Sequence, residues 1–230
     1  MPELGPKNFS LAKNIRRYKD RYPQVEEIEA LVDKYDQEYV GHGGESVVVA
    51  VPGEEGTKKV AAFNYEDVTP EKAKKIFYSH RIFSTLFPHN FPHFYASSSG
   101  QLQFPNSKNI SGTIRERITK SRLHTPKKVV KFLTGTVFTK YPFSEVKRVC
   151  RELGIKYSID GSYSENFLIG VDGGEYYVDN ILCWMVGQWD MELITQYMKE
   201  NKYSPIDIKI VQLSVERLEK LSKPLPAQTI

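Results

Sequence analysis

Residues 165–179 read Glu165-Asn-Phe-Leu-Ile-Gly-Val-Asp-Gly-Gly-Glu-Tyr-Tyr-Val-Asp179. Two short apolar runs, Phe167–Ile169 and Tyr176–Val178, flank the turn Asp172-Gly-Gly174. That pattern predicts a tight β-hairpin. Asn166 enters the first strand and Asp179 leaves the second, so the hairpin draws an amide and a carboxylate toward one end. Hard oxygen ligands of this kind suit magnesium in the company of phosphate oxygens. The same pair also serves ordinary turn chemistry.

Outward from the hairpin the pattern is helical. Ser144–Leu153 has apolar residues at helical spacing and is stopped by Gly154, and Lys127–Leu133 shows the same spacing. Beyond the hairpin, helices are expected over about 188–200 and 205–221, with Pro205 at the break. Trp184 and Trp189 are expected to pack against these helices.

The first half is different. Ser46-Val-Val-Val-Ala-Val51 and Lys59-Val-Ala-Ala-Phe63 read as paired strands around the turn residues Pro52, Gly53 and Gly56. Thr69-Pro70-Glu71 is a helix start, with Thr69 as N-cap and Pro70 in the first turn. Ile76, Phe77, His80, Phe83 and Leu86 or Phe87 then share one face until Pro88 and Pro92. Strands follow at Phe94–Ser97 and Ile110–Ile118. Upstream, short helices are expected over 8–20 and Val25–Tyr35.

Between that last helix and the strand from Ser46 lies Gly41-x-Gly43-Gly44-x-Ser46-x-Val48. Without a Cβ, such a loop lets backbone N–H groups approach phosphates closely. No Gly-Lys-Ser/Thr follows, so it is not a Walker loop. Taken alone, it also fits an ordinary glycine turn.

Composition bounds the rest. The chain has 230 residues, 40% of them hydrophobic and 12% aromatic, enough to build a core rather than a disordered coil. No run of roughly 20 apolar residues is present, and the first 20 residues lack the apolar stretch of a secretory signal, so a cytoplasmic protein is expected. Cys150 and Cys183 read as buried, reduced thiols. A net charge of +4 is too mild to mark a nucleic-acid binder, and the basic stretch Lys120–Lys131 reads as a solvated face. His89 and His93 are four apart, but Pro88 and Pro92 deny them a ligand-bearing helix, so a turn role is expected. Ser158, Ser162 and Ser164 lack a nucleophile elbow.

The glycine loop and the Asn–Asp hairpin, in this order, resemble the protein-kinase-like superfamily over about residues 36–182. Val60-Ala-Ala-Phe63 falls where V-A-I-K belongs, and 13 residues separate Asn166 from Asp179, as in that family. The resemblance implies an α+β fold of two lobes: an antiparallel-sheet N-lobe over 36–119 and a truncated helical C-lobe over 120–230, after an N-terminal helical extension over 1–35. It implies ATP under a loop made by Gly41, Gly43, Gly44, Ser46 and Val48, and Mg²⁺ held by Asn166 and Asp179. Asp160, one position from where the catalytic-loop Asp belongs, would then orient the acceptor hydroxyl.

The departures are specific. Phe63 occupies the strand lysine's place, the helix from Pro70 has no mid-helix glutamate, and D-F-G becomes Asp179-Asn180-Ile181. Two readings of the resemblance follow: an ATP-dependent phosphotransferase with degenerate motifs acting on a protein or small-molecule acceptor, or a non-catalytic pseudokinase scaffold for a partner protein. A phosphate- or nucleic-acid-binding α+β domain unrelated to kinases is the third reading.

Overall fold

A computed structural model of the chain describes residues 39–42, 46–51, 59–64, 68–98, 112–120, 140–156, 166–179 and 189–222. The helices expected at 8–20, 25–35 and 127–133 lie outside these residues. The fold is mixed α+β, in the order β1 (Tyr39–His42), β2 (Ser46–Ala50), β3 (Lys59–Asn64), α1 (Pro70–Leu86), β4 (Phe94–Ser98), β5 (Gly112–Glu116), α2 (Phe143–Glu152), β6 (Phe167–Ile169), β7 (Glu175–Tyr177), α3 (Met191–Glu200) and α4 (Pro205–Ser222). The strands form two sheets: one of five strands, ordered β1-β2-β3-β5-β4, and the hairpin β6–β7. The chain divides into two compact units, one of residues up to 73 with 95–117, the other of 74–94 with 118 onward. Residues 74–94, which the sequence reading gives to the first lobe, thus cluster with the second unit.

In the first unit β2, β3 and β5 pair antiparallel, with Val47 opposite Phe63 and Val60 opposite Arg115. Residues directly opposite each other share a face. One face therefore carries Val47, Val49, Ala61 and Phe63, the other Ala50, Val60, Ala62, Thr113 and Arg115, and all nine are buried. β3 is thus covered on both faces, which is why Val60-Ala-Ala-Phe63 reads as an unbroken apolar run rather than an alternating one. β1 is a strand the sequence reading does not anticipate. It pairs with β2 through a register shift between Tyr39 and Gly41.

In the second unit, Lys74–Leu86 of α1 joins α2, the hairpin, α3 and α4 around one core. The helix begins as expected, with the backbone N–H of Lys72 donating to Thr69 Oγ1 at 3.2 Å. α2 buries Phe143, Val146, Val149 and Cys150 on one side. Its exposed side carries Arg148, which bonds Glu145 and Glu152. Gly154, at φ +65°, ends the helical path in the left-handed region. α3 is capped by Asp190, whose Oδ1 accepts from the Leu193 N–H at 3.0 Å. At the centre, Phe143 meets Phe167 edge-on at 5.2 Å, and Phe167 meets Tyr177 at 5.3 Å. Each such buried ring stabilises the unit by about 1.5–3 kcal/mol. Trp189 packs against this core, as expected.

Candidate functional site

Two short strands alone are marginal in water, so the hairpin must be held by what surrounds it. Its register is Phe167↔Tyr177, Leu168↔Tyr176 and Ile169↔Glu175. The second strand therefore begins at Glu175, one residue before the position the apolar pattern suggests. At its closed end the Gly170 N–H donates to the Gly174 carbonyl at 2.9 Å, and Gly173 adopts φ +83°. The loop is only three residues long, and the last of them must be left-handed.

Asp172 organises that loop. Its Oδ1 accepts from the Gly174 N–H (3.0 Å), its Oδ2 from the Tyr176 hydroxyl (2.8 Å), and His89 Nδ1 lies 3.1 Å from Oδ2. Partial burial pushes the carboxyl pKa up, but the three hydrogen bonds and the adjacent imidazole outweigh it, and the net shift is downward. The His89 ring stacks on Tyr141 with centroids 3.9 Å apart. His89 therefore takes the turn role expected of it, as a tie between the loop after α1 and the hairpin.

A second set of ties runs beneath. Asn90 Nδ2 donates to the carbonyl oxygens of Tyr141 (2.9 Å) and Glu175 (3.1 Å), while the Asn90 carbonyl accepts from the Tyr177 N–H at 2.9 Å. The Glu175 N–H donates to the Tyr141 carbonyl at 3.2 Å. The Glu175 side chain is 1% exposed, and its Oε2 accepts from the Phe143 N–H at the start of α2 at 2.5 Å. Sequence reading missed Asn90 and Glu175 as organising residues and gave Asp172 only a turn position. Only the turn-rich spelling Pro88-His-Asn-Phe-Pro92 hints at the first.

At the open end the Val178 N–H donates to the Asn166 carbonyl at 2.8 Å, so the pairing extends one step past the strands. Asn166 and Asp179 thus flank the same end of the hairpin, both half-buried, and the Tyr177 hydroxyl donates to Asp179 Oδ2 at 3.2 Å. An amide and a carboxylate at one end of a hairpin can contribute two oxygens to a hard cation whose remaining ligands are water or phosphate. Among the described residues, no group of three or more His, Cys, Asp or Glu side chains gathers as a metal site.

The other sequence candidates are placed less fully. Gly41 lies in β1, Ser46 opens β2, and Gly43 and Gly44 fall outside the described residues, as does Asp160. Val48 pairs with Ala62, so its side chain lies on the sheet face opposite to Phe63. The β2 residues that share a face with Phe63 are Val47 and Val49. Phe63 is buried, at 2% exposure. Cys150 is a free, buried thiol whose pKa burial pushes up to about 12, which leaves it inert; Cys183 is outside the described residues. No helix among the described residues is long and apolar enough to cross a membrane.

No protein-family model matches the chain, and no curated protein matches it significantly.

Proposed function

We propose that the chain is a kinase-like nucleotide-binding protein that takes ATP with magnesium. The observation that carries this reading is the order of elements. Three antiparallel strands, a capped helix and two more strands complete one sheet, and a helix precedes a separate hairpin flanked by Asn166 and Asp179. Apart from β1, this succession of paired strands, helix, two strands, helix and hairpin follows the order in which the motifs of the kinase resemblance run. In this reading the loop Gly41–Ser46 covers the phosphates, Asn166 and Asp179 supply oxygens to Mg²⁺, and Asp160 orients the acceptor hydroxyl. Phosphoryl transfer of this kind is positioning plus charge stabilisation.

A buried phenylalanine at position 63, where the family places a phosphate-gripping lysine, favours a second reading. In it the fold binds nucleotide without efficient turnover and serves as a scaffold for a partner protein.

Thermal melting with ATP and MgCl₂ tests the shared part. Saturating ligand at about a hundred times its dissociation constant stabilises by about 2.7 kcal/mol, a rise of roughly 5–10 °C for a chain of this size. The rise should require magnesium and vanish in Asn166→Ala and Asp179→Ala. No rise in the wild type would remove the nucleotide reading. A magnesium-dependent rise with no γ-phosphate release or transfer would select the scaffold.

A further inference from the structure

We propose that Glu175 is a positioning residue that seats the β6–β7 hairpin on the N-terminus of α2 in a proton-dependent way, tightly when its carboxyl is protonated and loosely when it is ionised. The seat is geometric. Oε2 accepts the Phe143 N–H at 2.5 Å, at a helix end where donors are otherwise orphaned. Oε1 is fully buried and, among the described residues, has no hydrogen-bond partner. The side chain has no easy exit, because the Glu175 backbone is pinned on both sides, its N–H to Tyr141 and its carbonyl to Asn90.

Such a site suits the neutral acid better than the anion. The acid keeps the bond from Phe143 through its carbonyl oxygen and buries no charge. The carboxylate keeps the same bond but leaves a charged, fully buried oxygen with no donor among the described residues. The surrounding charged and titratable groups do not reverse this. On α2 the facing cation is Lys147, which is exposed and whose attraction is outweighed by burial. On the hairpin, Asp172 and Tyr176 bond each other, and His89, from the loop after α1, is engaged with Asp172. Ahead of α2, Lys140 lies over the ring of Tyr141. Burial raises the Glu175 pKa from 4.5 to about 7, with the Phe143 bond and Lys147 opposing it.

The sign follows from linkage. A folded-state value above the unfolded one gives stability that is complete below the ordinary carboxyl range and is lost as pH rises to about 7. The seat therefore loosens toward alkaline pH, within the range where cells operate. The same strand leads to Asp179, so the looser seat would free one end of the candidate cation pair. That consequence rests on the function proposed above; the seat itself does not.

Hydrogen exchange at the Phe143 amide, followed from pH 5 to 8.5 in the full chain, tests the proposal without any ligand. After correction for intrinsic exchange, opening in the wild type should rise on the order of a hundredfold from pH 5 to 8. Glu175→Gln, which mimics the neutral acid, should show a flat profile. A flat wild-type profile, or a variant that retains the wild-type rise, overturns the idea. If the variant does not fold, infrared spectroscopy of the wild type decides. A protonated-carboxyl band present at pH 6 and gone at pH 8 supports the seat, and its absence at pH 6 sinks it. Failure to bind ATP and magnesium bears on the proposed function alone.

Discussion

The Tyr203 hydroxyl donates to the carbonyl oxygen of Leu86 at 2.5 Å, across 117 residues of sequence. Leu86 ends α1, and its carbonyl is one of the acceptors a helix C-terminus leaves without an internal partner. Burial is the main cause that raises the Tyr203 phenol pKa, so the donor stays protonated throughout the useful pH range. Tyr203→Phe keeps the ring and deletes only the donor. It should cost about 1–2 kcal/mol, lowering the melting temperature by roughly 3–6 °C. An unchanged melt would mean that water replaces the phenol at no cost.

Two glycines in the second unit should respond to alanine for different reasons. A Cβ on Gly174 would sit 2.3 Å from the His89 carbonyl oxygen and 2.7 Å from the Tyr176 ring. Backbone cannot yield there without parting the hairpin from the loop after α1, so Gly174→Ala should cost about 3 kcal/mol or more. Gly154 has no atom within 4 Å of its would-be Cβ, but its φ is +65°. Gly154→Ala should cost only about 1 kcal/mol, the backbone penalty alone. Denaturant melts of the two variants should rank them in that order.

Acid should weaken the hairpin loop through Asp172. Its carboxyl pKa is held below the ordinary value by the Gly174, Tyr176 and His89 contacts, against burial. A depressed folded-state value gives stability that is present above pH of about 4 and lost as pH falls through the folded value. Asp172→Asn should flatten that acid limb and leave the melt near pH 8 lower than wild type, since an amide accepts fewer of these bonds. Melting curves between pH 2.5 and 8 would show both effects, and an acid limb unchanged in the variant would assign the loss to another carboxylate.

Phe63→Lys should destabilise the first unit without creating a kinase. The position is 2% exposed, and α1 offers a single carboxylate, Glu71, in its first turn. Losing the buried ring costs about 1.5–3 kcal/mol, and burying an unpaired ammonium adds to that. ATP turnover measured beside the melting temperature decides the matter. Turnover gained at unchanged stability would show that a partner for the ammonium already exists.

Local grammar made much of this fold legible. The Thr69-Pro70 start, the proline stop after Leu86, the Gly154 stop and the Asp172-Gly-Gly174 turn all act within a few residues, and the helices and hairpin they bound stand where the sequence places them. What escaped depends on partners far along the chain. β1 is four residues with a glycine and becomes a strand only by pairing with β2. That Val47 and Val49 share a face with Phe63 is set by the register of β2 on β3, which glycine spacing does not reveal. The placement of Asn166 and Asp179 at one end of the hairpin was legible because a short hairpin fixes it. Glu175 was not, since nothing in Gly-Gly-Glu-Tyr-Tyr announces that a carboxyl is buried against a helix start 32 residues upstream.

The interleaved order of the two units has a consequence for synthesis. Residues 74–94 leave the ribosome early but pack with partners made late. Ile82, Phe83, Leu86, Phe87 and Phe91 share a core with Val211, Val215 and Leu218 of α4. About 120 residues separate Phe91 from Val211, a translation delay of roughly 6–24 s at 5–20 residues per second. Through that interval the nascent chain carries five large apolar side chains with much of their final burial still to come. A holdase chaperone should bind arrested chains that end after α1 and before α4, and release them once α4 has emerged.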